Sequence, residues 1–244
     1  GFDLWAKVRA NHKMGNVNLP LFKYRRHSNN LTNNNPRIMN ARRQIKRDAI
    51  EQSRGNFGPI IGVIPCRRHF EFIDNFWCQK IKGITLLERT INSCLKTTLI
   101  DILVVACDNP EADDYVKKYD DPRLRFFLRD PKGTARSKSL LGTVEKIALA
   151  YDLEMTGITV VSFCQAPFIT AETIEETITT LLFNDTDSAF GVERVESQLL
   201  RRTNSGLVPI NKRGNVESDY DVVYRDSETC FATRNKNFLN GELK

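Results

Sequence analysis

The stretch PIIGVIPCRRHFEFIDNFWCQKIKG, Pro59–Gly83, opens with a short Ile/Val run and then breaks into a loop dense in arginine and aromatic residues. An apolar run without polar alternation, bounded by prolines, reads as a strand covered on both faces. A strand feeding a loop is how many phosphate-binding turns begin. Those turns carry glycines, because a bare backbone lets amide groups close on phosphate oxygens. Here the loop holds Arg67, Arg68, His69, Phe70 and Trp77 instead. The stretch is thus a working nucleotide site, a worn copy of one, or a strand and loop with no ligand.

Outward from this strand, helical and strand patterns alternate. TLLERTINSCLK has helical spacing at Leu86, Leu87, Thr90, Ile91 and Leu95. DILVVAC reads as a strand, PEADDYVKKY as a short helix, LRFFLR as a strand and SLLGTVEKIALAYDL as a helix. GITVVSF is the next strand, TAETIEETITTLLF a helix that Thr170 caps, and DSAFGVERV another strand. Regular alternation of this kind predicts an α/β fold in three layers around a mostly parallel sheet. No internal repeat is visible, and no GxGxxG follows a strand, which argues against a dinucleotide-binding dehydrogenase.

Composition narrows the setting. The 244 residues, with 41% hydrophobic and 27% charged, describe a globular chain. No apolar run approaches the roughly 20 residues that cross a bilayer. The opening GFDLWAKVRA lacks an apolar signal core and reads like a domain interior, so a piece of a longer protein is expected. The six cysteines form no CxxC pair and read as small buried hydrophobes, which suits a reducing, cytoplasmic location. Residues 1–55 hold twelve Lys/Arg against three Asp/Glu, whereas the remainder holds 24 against 27. This basic start comes with no nucleic-acid motif and no run of five like charges, so no nucleic-acid partner is expected.

In an open α/β sheet, ligands bind beyond the carboxyl ends of the strands. The residues there are Cys66, Arg67 and Arg68 after the first strand, Asp108 after the second, Arg129, Asp130 and Lys132 after the third, and Cys164 and Gln165 after the fourth. Arg67, Arg129, Lys132, Arg136 and Lys138 can converge on one rim and pair with a triphosphate; the plainer alternative is a solvated basic loop. Ser137 and Ser139 can bond a ribose or base, Ser139 also capping the next helix. Asp108 either caps the helix at Pro110 or points into the cleft, and the cap is the commoner use of such a residue.

From about Ile60 to Leu243 these blocks resemble the nucleotide-sugar cytidylyltransferases, especially those that activate acylneuraminate-type acidic sugars. VIPCR is similar to the family's opening Ile-Pro-Ala-Arg, and IKGITLLERTI to its turn into the first helix. VVACDNPEADDYVKKY, LRDPKGTARSKSLLGTVEKIAL, TVVSFCQAPFITAETIEETI and VVYRDSETCFATRNKNFL follow in family order, the last resembling a strand pair. The signature loop departs: Arg68 and His69 replace glycines, Glu71 replaces the lysine, and Phe70, Phe72, Phe76 and Trp77 crowd the cradle. The family's Gln aligns with Phe163; Gln165 stands where sister enzymes hold a metal-binding Asp, and the other acidic ligands would lie beyond Lys244. The resemblance implies CMP transfer from CTP to an acidic sugar with release of pyrophosphate, assisted by Mg2+. Arg67 and Gln165 would serve as catalytic residues, and Arg67, Asp108, Arg129, Ser137 and Ser139 as nucleotide contacts. A homodimer is carried as an expectation. The eroded loop keeps open a catalytically inactive nucleotide-sugar-binding or scaffolding domain.

GFDLWAKVRANHKMGNVNLPLFKYRRHSNNLT resembles the end of a family-two inverting glycosyltransferase domain, with Asp3, Leu4, Trp5, Leu21, Tyr24, Arg25 and His27 matching. By that resemblance, Arg25 and His27 would touch a donor diphosphate; the plainer alternative makes Trp5, Phe22 and Tyr24 core aromatics. The expected organisation is a glycosyltransferase end over 1–35, a helical linker over 36–57 and a cytidylyltransferase-like domain over 58–244, cut short at its C-terminus. A chain that activates and transfers a sugar would serve surface polysaccharide synthesis.

Overall fold

The computed structural model describes residues 2–15, 19, 35–71, 73–133, 140–151, 155–210 and 223–239. Two helices come first, α1 (Phe2–Asn11) and α2 (Asn35–Gln52), followed by the strand β1 (Ile60–Pro65). Next come two small hairpins, β2 (His69–Phe70) with β3 (Ile73–Asp74) and β4 (Lys80–Ile81) with β5 (Ile84–Thr85). Then follow α3 (Leu86–Leu95), β6 (Ile102–Cys107), α4 (Ala112–Val116), β7 (Leu124–Leu128), α5 (Leu141–Ala150), β8 (Ile158–Ser162) and α6 (Ala171–Asn184). The chain continues through β9 (Ser188–Val195), β10 (Leu200–Thr203), β11 (Gly206–Pro209), β12 (Val223–Arg234) and α7 (Asn235–Leu239).

Six strands form the central sheet in the order β7-β6-β1-β8-β12-β9. The first four are mutually parallel, while β12 runs antiparallel to both β8 and β9. Alternate side chains of the parallel strands divide two cores, as a two-residue period dictates. Ile60, Ile64, Leu103, Val105, Ile158 and Val160 pack with Leu87 and Ile91 of α3 and Ile174 and Ile178 of α6. Ile61, Val63, Val104, Ala106 and Val161 pack on the other face with Val144 and Ile147 of α5 and Phe238 of α7. This is the three-layer α/β architecture that the alternation predicts. At Gly62 the neighbouring strand leaves no room for a side chain: a Cβ there would sit 2.7 Å from Leu103 Cδ1.

Local signals place the helices. Thr85 and Glu88 form a capping box, with Glu88 N–H donating to Thr85 Oγ1 (3.1 Å) and Thr85 N–H to Glu88 Oε2 (3.0 Å). Thr170 caps α6 by accepting from Thr173 N–H, as its sequence position predicts. The segment VVYRDSETCFATRNKNFL, expected to resemble a strand pair, forms one long strand, β12, with an irregularity between Asp226 and Phe231, and then α7. The bulge lets one strand keep pairing with β9 across a change of register.

The helix expected over 36–57 is present as α2, and it lies against α6. Lys46 is buried and pairs with Glu176, Arg47 pairs with Glu175, and Arg43 Nε lies 3.6 Å from Glu176. From α1, Phe2 stacks on Phe183 at 5.6 Å, Trp5 tilts against the same ring at 5.7 Å, and the Arg9 guanidinium lies over both Trp5 and Phe183. Trp5 thus packs as an aromatic of this domain's surface. Leu21, Phe22, Tyr24, Arg25 and His27 lie outside the described residues.

Candidate active site

Chain order reverses around β1. It continues to β6 and β7 on one side, then returns to β8 on the other. The β1–β6 ladder extends to Pro65 opposite Ala106, and Cys66 N–H still donates to Ala106 O at 2.7 Å. The β1–β8 ladder stops earlier, at Val63 opposite Val161. The two strands therefore part at their carboxyl ends, and such a switch point is where open α/β sheets take ligands.

Three tips present candidate residues at this crevice. Arg67 is half-buried, its guanidinium 4.8 Å from the centre of the Phe70 ring. Asp108, also half-buried, accepts the Arg68 backbone N–H and so ties the loop after β1 to the tip of β6. Gln165 lies exposed on the turn after β8. Asp108 does not cap the next helix. The N-cap of α4 is Glu111, without a side-chain cap, and Asn109 Oδ1 accepts Glu111 N–H at 3.0 Å in the turn that precedes it.

Arg129 occupies a different place from the one expected. Its strand, β7, is separated from β1 by β6, and the side chain crosses the β6 tip to reach the first strand. Nη1 donates to Cys66 O at 2.8 Å and Nε to Thr143 Oγ1 at 3.1 Å, while the backbone N–H donates to Cys107 O at 2.8 Å. Only 8% of the residue is exposed. It is therefore a brace in the floor rather than a cation on the rim. Burial pulls its guanidinium pKa down, Asp108, Cys66 and Cys107 oppose that pull, and Arg67 adds to it. Arg67, Asp108 and Arg129 thus share one electrostatic neighbourhood. Lys132 is exposed in the turn Pro131–Gly133, its N–H held by Asp130 Oδ1 at 3.0 Å. Arg136, Ser137, Lys138 and Ser139 lie outside the described residues.

The loop between Arg68 and Gly83 is ordered by side chains. A left-handed Glu71 (φ 52°) turns the β2–β3 hairpin, and a left-handed Asn75 (φ 50°) ends it. Asn75 N–H donates to Arg68 O at 2.6 Å, and Asn109 Nδ2 donates to Asn75 Oδ1 at 3.0 Å. His69 Nδ1 and Asp74 Oδ1 are 2.6 Å apart, and Phe70 packs on Phe76 at 5.0 Å. Trp77 is buried in the core, edge-on to Tyr115 at 5.3 Å. Phe72 lies outside the described residues. Where a glycine loop offers bare amides, this one offers a hairpin whose bulk is folded onto itself.

Beneath the three tips runs a row of thiols. Cys66, Cys107 and Cys164 each directly precede a candidate residue, and all three are buried. Cys66 Sγ lies 3.6 Å from Cys164 Sγ. Cys66 also hydrogen-bonds Cys107, which lowers the Cys107 pKa and raises that of Cys66. Burial was legible from composition; the repeated placement, one cysteine at each strand end, was the signal left unused.

Among the described residues, no group of three or more His, Cys, Asp or Glu is placed to hold a metal ion. Mg2+ commonly takes only one or two carboxylates and completes its shell with water and nucleotide phosphate. Asp108 and Asp130 are the carboxylates that follow within two residues of the parallel strand ends.

The family model described as cytidylyltransferase matches residues 62–240. The chain belongs to the cytidylyltransferase family. No curated protein sequence matches it. Among solved structures, this cytidylyltransferase is similar to CMP:2-keto-3-deoxy-manno-octonic acid synthetase complexed with CTP, at 13% identity and a TM-score of 0.56, over 75% of this chain and 76% of that one. It is also similar to a 4-diphosphocytidyl-2C-methyl-D-erythritol synthase, at 15% identity and a TM-score of 0.53, over 73% and 76%. The corresponding synthase from Anaerococcus prevotii gives 16% and 0.53, over 77% and 78%. At these identities the likeness establishes the fold.

Proposed function

We propose that this cytidylyltransferase transfers CMP from CTP to a hydroxyl of an acidic sugar of the acylneuraminate type, releasing pyrophosphate. The observation that carries the reading is the grouping of Arg67, Asp108 and Arg129 at the switch-point crevice of a chain in this family. In-line attack of the sugar hydroxyl on the α-phosphate spreads negative charge over the phosphoryl oxygens. Arg67 pairs with those oxygens, and Gln165 hydrogen-bonds the reacting groups from the facing strand. Arg129 holds the Cys66 carbonyl and so fixes the backbone from which Arg67 projects. Ser137 and Ser139 are the proposed ribose and base contacts. Mg2+, carried with the nucleotide and met by Asp108, would neutralise phosphate charge. Residues 1–35 are read as the end of a glycosyltransferase domain fused to this one, the pair serving surface polysaccharide synthesis in the cytoplasm.

A second reading, a nucleotide-sugar-binding or scaffolding domain without catalysis, draws on the Arg68–Gly83 loop, which packs side chains where the family's loop presents glycine. Calorimetry with CTP and Mg2+, followed by a pyrophosphate-release assay with acidic sugars, separates the two. The transfer reading expects binding, release, and a fall in kcat/KM of about 10²–10³ for Arg67→Ala. Binding without release points to the second reading. No binding removes transfer and nucleotide binding together and favours a scaffold.

A further inference from the structure

We propose that Cys66 and Cys164 form a reversible disulfide when the reduced protein meets a hydroperoxide, stapling β1 to β8 across the crevice. Counting on from Val63 opposite Val161 places Cys66 opposite Cys164, three residues beyond the last ladder partners. A disulfide spans Cα separations of about 4.4–6.8 Å, which allows strands to stand somewhat further apart than the about 4.8 Å of a paired ladder. Both thiols belong to the same core face, and their sulfurs are already 3.6 Å apart. A bond of about 2.05 Å then needs only side-chain rotation. Both residues sit at the mouth of a switch-point crevice, 4% and 3% exposed, rather than in the middle of a strand.

The third thiol supplies the base. Cys107, in its thiolate form, accepts the Cys66 S–H hydrogen bond; being the weaker base of the two, it receives the Cys66 proton only as sulfur attacks the peroxide, with O–O cleavage driving the transfer. The Cys66 sulfur attacks the terminal peroxide oxygen. An S–O bond forms, the O–O bond breaks, and the leaving alkoxide or hydroxide is protonated by Cys164. The Cys164 thiolate then attacks the Cys66 sulfenic sulfur, expelling hydroxide, which leaves as water with the proton held on Cys107. In sum, two thiols and one hydroperoxide give one disulfide, one alcohol (water, from hydrogen peroxide) and one water. The bond fixes the ends of β1 and β8 from which Arg67 and Gln165 project, so the two tips can no longer part around a ligand. That consequence for CTP rests on the nucleotide reading above, whereas the cross-link does not.

The test treats the reduced chain with hydrogen peroxide, blocks free thiols, and maps unreduced peptides by mass spectrometry. Isothermal titration with CTP runs in parallel. The expected result is a Cys66–Cys164 linked peptide that dithiothreitol removes, with CTP binding at least tenfold weaker until reduction. Cys164→Ala should lose the linked peptide and the peroxide sensitivity together. A cross-link through Cys107 or Cys78, or none, overturns the proposal on wild-type protein alone, whether or not the variant folds. A Cys66–Cys164 link that leaves CTP affinity unchanged overturns the staple. If reduced protein binds no CTP, the nucleotide reading fails and the peptide map still decides the disulfide.

Discussion

The floor of the crevice and the loop that overhangs it solve the same problem by different means. In the floor, ladder bonds of β1, β6 and β7 order the backbone, and one buried guanidinium joins the tips of β1 and β7 to α5. Above it, the Arg68–Gly83 segment has two short hairpins of two residues per strand and takes its order from Trp77, Asn75 and the Phe70–Phe76 pair. A floor held by backbone tolerates varied side chains, whereas a loop held by side chains fails when one anchor is removed.

That contrast is broken most directly at Trp77. Trp77→Ala should destabilise the domain by about 3–5 kcal/mol in urea denaturation, through lost burial and a cavity. Trp77→Phe should cost far less, since the indole Nε1 has no protein partner. Next comes the floor. Arg129→Ala removes a charged donor from Cys66 O and should cost about 2–4 kcal/mol, with Arg129→Lys intermediate because one cation cannot reproduce both contacts. If the alanine variant melts like wild type, the brace is an illusion. Lys82→Asn sharpens the comparison in the other direction. Lys82 (φ 51°) and Gly83 (φ 81°) occupy the left-handed positions of the β4–β5 turn, where Asn-Gly is preferred. A gain of about 0.5–1 kcal/mol is expected by differential calorimetry.

The smallest effect lies outside both regions and gives them a common baseline. The Arg123 guanidinium and backbone N–H hold the Asp121 carboxylate, keeping its pKa below the usual aspartate value. A depressed carboxylate pKa contributes stability that is fully present above the unfolded value, near pH 3.9, and is lost as pH falls through the folded one. Denaturation curves for Asp121→Asn should therefore converge on wild type below about pH 4, while remaining slightly less stable at neutral pH.

The parallel sheet was legible because unbroken runs such as IIGVIP and ILVVAC are long and lack polar alternation, and capping signals at Thr85 and Thr170 fixed the helix starts. The site was legible only as positions. Which residues follow a strand can be counted, but which way a side chain turns depends on packing several strands away. Arg129 illustrates the limit: it follows β7 as expected, yet crosses β6 to serve a carbonyl on β1. Asp108 illustrates another. A short polar residue before a proline looks like a cap, and only the nearness of Arg68 N–H, forty residues earlier, gives it a different use.

The clasp between α2 and α6 changes what the chain's positive balance means. Part of the cationic balance near the start is answered within the molecule, where Lys46, Arg47 and Arg43 face Glu175 and Glu176. The field offered to a passing polyanion is accordingly smaller than a count along the first 55 residues suggests. Those three cations of α2 work as internal counterions to α6.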